Sequence, residues 1–123
     1  MYLLVNNKSF ADAVPPIQIP THETLKDVIL RTIPYWNEQI APEVANGKRV
    51  LIVAHGTSLR GIVKYIEDLD QDAVKKLNLP TGIPFVYELN MDTMIPVVPR
   101  RYLADDNTVE EAIDKVLNMG LKK

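Results

Sequence analysis

Apolar positions along the chain change period three times, and each change predicts an element. Leu25, Ile29, Ile33, Trp36 and Ile40 recur every three or four residues, which is one face of a helix. The pattern predicts a start near Thr21, with Thr21 as cap and Glu23 and Asp27 at the positive end, and a stop at Asn46-Gly47. Pro34 interrupts the stripe and predicts a kink or a helix in two pieces. From Arg49 to Ala54 the period disappears: Val-Leu-Ile-Val-Ala is apolar at every position. A strand of that kind is covered on both faces, as in the middle of a parallel sheet. Helical period returns at Leu59, Ile62, Val63 and Ile66, with Thr57 or Ser58 as cap and Lys64 and Glu67 outside. A short helix, Gln71 to Leu77, follows the cap Asp70, and two prolines stiffen the loop to Pro84. Phe85 to Leu89 reads as a second strand and Ile95 to Val98 as a third. Thr108-Val-Glu-Glu111 has the form of a capping box. It opens a last helix carrying Val109, Ile113, Val116 and Leu117, stopped by Gly120. Pro15, Pro16 and Pro20 break any helix in residues 1–20, which read as an irregular N-terminal segment.

Helices alternating with strands define an α/β class. The apolar strand poses a problem, because it calls for neighbours on both edges and the chain offers few. Residues near the N-terminus pair with it, or another chain does, or something is missing. The 123 residues make one domain, and 46% hydrophobic with 24% charged residues suit a globular protein. A net charge of −2 gives no electrostatic case for nucleic acid or an anionic membrane. No apolar run approaches the ~20 residues of a membrane helix, and Met1 to Val5 lacks the basic flank of a signal peptide. Without cysteine there is no disulfide, thiol nucleophile or Cys-type zinc site, which permits a reducing, cytoplasmic location.

Candidate chemistry gathers where the apolar strand ends. Ligands of open α/β sheets collect beyond the carboxyl ends of strands, and His55 is predicted there. Gly56 lets the backbone turn and approach a ligand, and Thr57 and Ser58 open a helix whose first N–H groups suit an anion. An imidazole beside such a site can bind a phosphoryl oxygen, donate a proton or act as nucleophile. A histidine at a strand end can equally be a satisfied polar residue, and Ser or Thr before a helix only a cap; from these residues alone both readings stand. Other candidates reduce to structure. Ser58 lacks a nucleophile-elbow setting, His22 belongs to an exposed helix start, and Arg60 fits an ion pair or a solvated position. Two distant histidines make a poor metal site, and Asp68, Asp70 and Asp72 lack the glycine and glutamate of a calcium loop.

Four stretches say more than their spacing. They are E-T-L-K-D-V at 23–28, P-Y-W-N-E-Q-I at 34–40, G-K-R-V-L-I-V-A-H-G-T-S-L-R-G-I-V-K at 47–64 and L-N-L-P-T-G-I-P-F-V-Y-E-L at 77–89. Together with the tail from Tyr102 to Lys123 they resemble the cofactor-dependent phosphoglycerate mutases of the histidine phosphatase superfamily. The resemblance covers about residues 20–123. It implies that residues 21–123 form the C-terminal half of a mutase-like domain, a partial three-layer α/β/α fold with a mostly parallel sheet. It implies interconversion of 3-phosphoglycerate and 2-phosphoglycerate in glycolysis through a phosphohistidine, primed by 2,3-bisphosphoglycerate and requiring no metal. By matching motif, His55 is the second, phosphoryl-stabilising catalytic histidine, and Gly56 and Thr57 bind substrate phosphate. Partners are then small phosphoglycerates, with a homodimer or pairing to a full-length mutase subunit also expected.

Two departures qualify this. Thr57 stands where the family commonly has asparagine, a hydroxyl in place of a carboxamide. The family's Arg-His-Gly nucleophile motif is absent: His22 lies between Thr21 and Glu23, and His55 follows Ala54. The chain alone is therefore expected to be inactive. The alternative is a non-catalytic fragment that binds phosphate or interacts with a mutase subunit.

Overall fold

The computed structural model describes residues 22–119. The predicted Thr21 cap, the irregular reading of residues 1–20 and the Gly120 stop lie outside them. Helix α1 is Leu25–Tyr35, and its cap is Thr24 rather than Thr21. The Thr24 hydroxyl accepts from the Asp27 N–H at 3.2 Å, and the Thr24 N–H donates back to the Asp27 carboxylate at 2.9 Å. This reciprocal box satisfies two first-turn donors, so it fixes the start three residues later than the apolar pattern did. Pro34 lies inside α1, and a wide π turn, Trp36–Ile40, follows at once. There the Ala41 N–H reaches back five residues to the Trp36 carbonyl. Helix α2, Ala41–Ala45, completes the rod, and Gly47 at φ 81° turns the chain away. The break expected at Pro34 thus takes the form of a widened turn between two helices.

Helix α3, Gly56–Ile66, packs against α1. A methyl group at Gly61 would stand 3.1 Å from the Ile29 side chain, so the two helices approach closely there. Val28, Trp36, Ile62 and Val63 form the centre of the core, joined by Val74 and Val109. Helix α4, Gln71–Lys76, is capped as predicted, its Ala73 N–H donating to Asp70 at 2.7 Å. The last helix, α5, is Asp106–Met119. Its cap is Asp105, whose carboxylate accepts from the Thr108 N–H at 2.9 Å and the Thr108 hydroxyl at 2.7 Å. Thr108 is therefore a partner of the cap, and the box read over Thr108–Glu111 moves back three residues. Along α5, Val109 is buried, Ile113 and Val116 are half-buried and Leu117 is exposed.

The sheet differs most from expectation. Among the described residues it has two strands, β1 (Phe85–Val86) and β2 (Arg101–Tyr102), paired antiparallel with Phe85 opposite Tyr102. Strand 85–89 is thus shorter than predicted, and Ile95–Val98 contributes only an isolated antiparallel bridge, Leu89 to Pro96. The mostly parallel, three-layer sheet is not present in these residues. The segment expected as its central strand, Arg49–Ala54, carries no strand, and Leu51 is 84% exposed. A ladder requires a neighbour, and the backbone groups of Val50, Leu51 and Ile52 find none among the described residues.

Candidate functional site

His55 stands at the junction of segment 49–54 and α3, in extended backbone at φ −62° and ψ 147°. It is itself the N-cap. The ring Nδ1 accepts a hydrogen bond from the Thr57 N–H at 3.3 Å, a role expected of Thr57 or Ser58. The cap fixes the ring's chemistry. A nitrogen that accepts an N–H carries no proton, so the neutral ring holds its proton on Nε2. The exposed imidazole therefore presents an Nε2–H donor.

Beside it lie two more donors. The Thr57 N–H is taken by His55, whereas the Gly56 and Ser58 N–H groups have no partner among the described residues. The space in front of Gly56 is open, since a side chain there would meet nothing within 4 Å. The positive end of α3 adds its field. A half-buried threonine, an exposed imidazole and two backbone N–H groups thus lie together at one helix start, donor types that suit a tetrahedral anion.

Arg60 does not join this set. Its guanidinium donates to the Val74 carbonyl at 2.7 Å and so ties α3 to α4, which is neither the ion pair nor the solvated position read from sequence. His22 is exposed, as expected. Among the described residues no three His, Cys, Asp or Glu side chains converge as metal ligands, and no helix is long and apolar enough to cross a membrane.

The pattern missed a second polar cluster. Glu67, assigned to the outer face of α3, instead accepts from the Tyr87 hydroxyl and from Arg100 at 2.5 Å. Arg100 also donates to the Tyr87 oxygen at 3.3 Å and lies 5.9 and 5.8 Å from the ring centres of Phe85 and Tyr102. Burial, then the bond to Glu67, pushes the Tyr87 phenol above its ordinary range. These residues are 20 and 33 positions from Glu67, so no local spacing announces them. An open, largely apolar groove of about 560 Å3 lies between segment 50–52 and β1, and it does not include His55.

A helix start that offers an exposed histidine and two backbone N–H groups without partners among the described residues follows an apolar segment here. The family model for the histidine phosphatase superfamily, branch 1, matches residues 6–94, nearly three-quarters of the chain, and the chain belongs to that superfamily. Its members are phosphatases and mutases.

Proposed function

We propose that this chain is of the phosphoglycerate mutase type within its superfamily, and that its His55 site holds one phosphate group of a phosphoglycerate. The observation that carries this reading is the back-bonded ring of His55. With Nδ1 turned into the helix, Nε2–H faces outward as a donor, suited to stabilising charge on phosphoryl oxygens rather than to attacking phosphorus. Gly56 and Thr57 stand beside it as phosphate ligands, the first through its N–H and the second through its hydroxyl. Arg60 is committed to Val74, so the described residues fit one phosphate better than the two of 2,3-bisphosphoglycerate. With no Arg-His-Gly histidine in the sequence there is nothing to carry a phosphoryl group, and the chain alone turns nothing over.

Calorimetric titration of the 123-residue protein with 3-phosphoglycerate, paired with a mutase assay, tests this. The expected result is binding without turnover, weakened at least tenfold in His55→Ala, as loss of a charge-assisted hydrogen bond predicts. Binding unchanged in His55→Ala, or turnover by the chain alone, would overturn it.

A further inference from the structure

Helix α2 ends at Asn46, and the chain leaves it through Gly47 at φ 81°, a backbone angle that residues with a Cβ rarely adopt. The glycine that this turn needs also exposes the asparagine before it to attack. Asn46 lies at the surface, and its side-chain amide makes no hydrogen bond among the described residues. It precedes glycine, whereas every other asparagine of the chain precedes a residue with a side chain. A following side chain shields the backbone nitrogen next to an asparagine. Gly47 supplies no such shield, and a Cβ there would meet nothing within 4 Å, so the space around the pair is open. What restrains it is the turn itself. The Gly47 N–H donates to the Val44 carbonyl at 2.9 Å, and the Lys48 N–H donates to the Glu43 carbonyl at 3.1 Å. Closing a ring between the Gly47 nitrogen and the Asn46 Cγ requires the Asn46 ψ to rotate away from its 10°. These bonds finish a helix of only 5 residues, and the last turn of a short helix opens at little cost.

We propose that Asn46 is a modification site, deamidated without an enzyme through a succinimide that forms when the α2 turn opens. The Gly47 backbone nitrogen gives up its proton and bonds to the Asn46 Cγ. The Cγ–Nδ2 bond breaks, and ammonia leaves. One water then opens the imide ring. Cleavage at Cγ gives aspartate; cleavage at the backbone carbonyl gives isoaspartate, with the main chain rerouted through the former side chain. Either product places a carboxylate at the C-terminal end of α2, where the helix field disfavours negative charge and where Glu43 already pairs with Lys48. Isoaspartate also adds a methylene to the main chain between α2 and segment 49–54. The inference does not depend on the phosphoryl reading.

Incubation of the full chain in warm buffer at pH 8 tests this, with peptide mapping by electron-transfer fragmentation to tell isoaspartate from aspartate. A synthetic peptide of residues 43–49, run alongside, gives the rate without the folded turn. In the full chain Asn46 should convert at least tenfold faster than Asn37, Asn78, Asn90, Asn107 or Asn118, with isoaspartate in excess of aspartate. Its rate should be roughly two- to tenfold below that of the peptide, since the Gly47–Val44 hydrogen bond must first open. Asn46→Gln, whose longer side chain cannot close a five-membered ring, should remove the signal at this position. An Asn46 that stays intact while the peptide converts, a rate no higher than at the other five asparagines, or aspartate formed without isoaspartate would each overturn the proposal.

Discussion

His55 performs two tasks with one ring, capping a helix through Nδ1 and presenting a proton through Nε2. Nitrogen-15 NMR of the neutral ring is expected to show the Nε2–H tautomer. His55→Asn separates the tasks, because asparagine caps as well as any residue but is shorter and lacks the imidazole. Stability should change by less than about 0.5 kcal/mol in chemical unfolding, while 3-phosphoglycerate affinity falls at least tenfold. At this scale the sequence was a good guide to position. A histidine-glycine pair followed by hydroxyls, at the end of an apolar run, marks a helix start with free donors whatever precedes it. The exchange of capping duty between Thr57 and His55 could not be read, because it depends on a ring orientation that no spacing encodes.

Helix starts in this chain rest on carboxylates and hydroxyls that locate boundaries more sharply than apolar stripes do. Thr24→Ala should cost about 1 kcal/mol and fray α1, visible as reduced helicity and a lower denaturant midpoint. Asp27 and Asp105 are each held below the ordinary carboxylate range by hydrogen bonds from their partner threonines, Thr24 and Thr108. A lowered folded value gives stability that is present above the ordinary aspartate range and lost as pH falls through the folded value. Acid titration should therefore loosen the starts of α1 and α5 first, as seen by residue-resolved exchange, and Asp105→Asn should reduce that dependence at α5. Each of these helices was legible from its period. Their first residues were misplaced because Thr24 with Asp27, and Asp105 with Thr108, compete with neighbouring candidates of the same chemistry, and only geometry chooses between them. The Arg49–Ala54 strand failed for a different reason. Apolar continuity reports what a segment would bury, whereas a ladder depends on a partner elsewhere.

Across the whole molecule, the small core contrasts with the apolar surface left outside it, where Leu51, Val53, Ile95 and Val97 are all more than half exposed. The class of fold was legible from alternating elements, but its sheet was not, since pairing over long separations leaves no periodic trace. The Glu67–Tyr87–Arg100 cluster joins α3 to β1 and to the approach of β2. Its Tyr87 phenol is raised above the ordinary range, so its contribution is present below the ordinary tyrosine range and is lost as pH rises toward the folded value. Unfolding measured from pH 8 to 11 should show an alkaline loss of stability that Tyr87→Phe reduces, at a cost of about 1 kcal/mol at neutral pH for the missing hydrogen bond.

The same helix is capped by His55 at its start and Glu67 at its end, so the exposed imidazole and the Arg100 contact sit at opposite ends of one stiff rod. Over a length of about 16 Å, a tilt of about 5° at the Glu67 end swings the other end by about 1.4 Å. That is enough to misplace a hydrogen-bond donor. Under the proposed reading, Arg100 would then act as a pivot bearing, setting the aim of His55 from the far end of the helix.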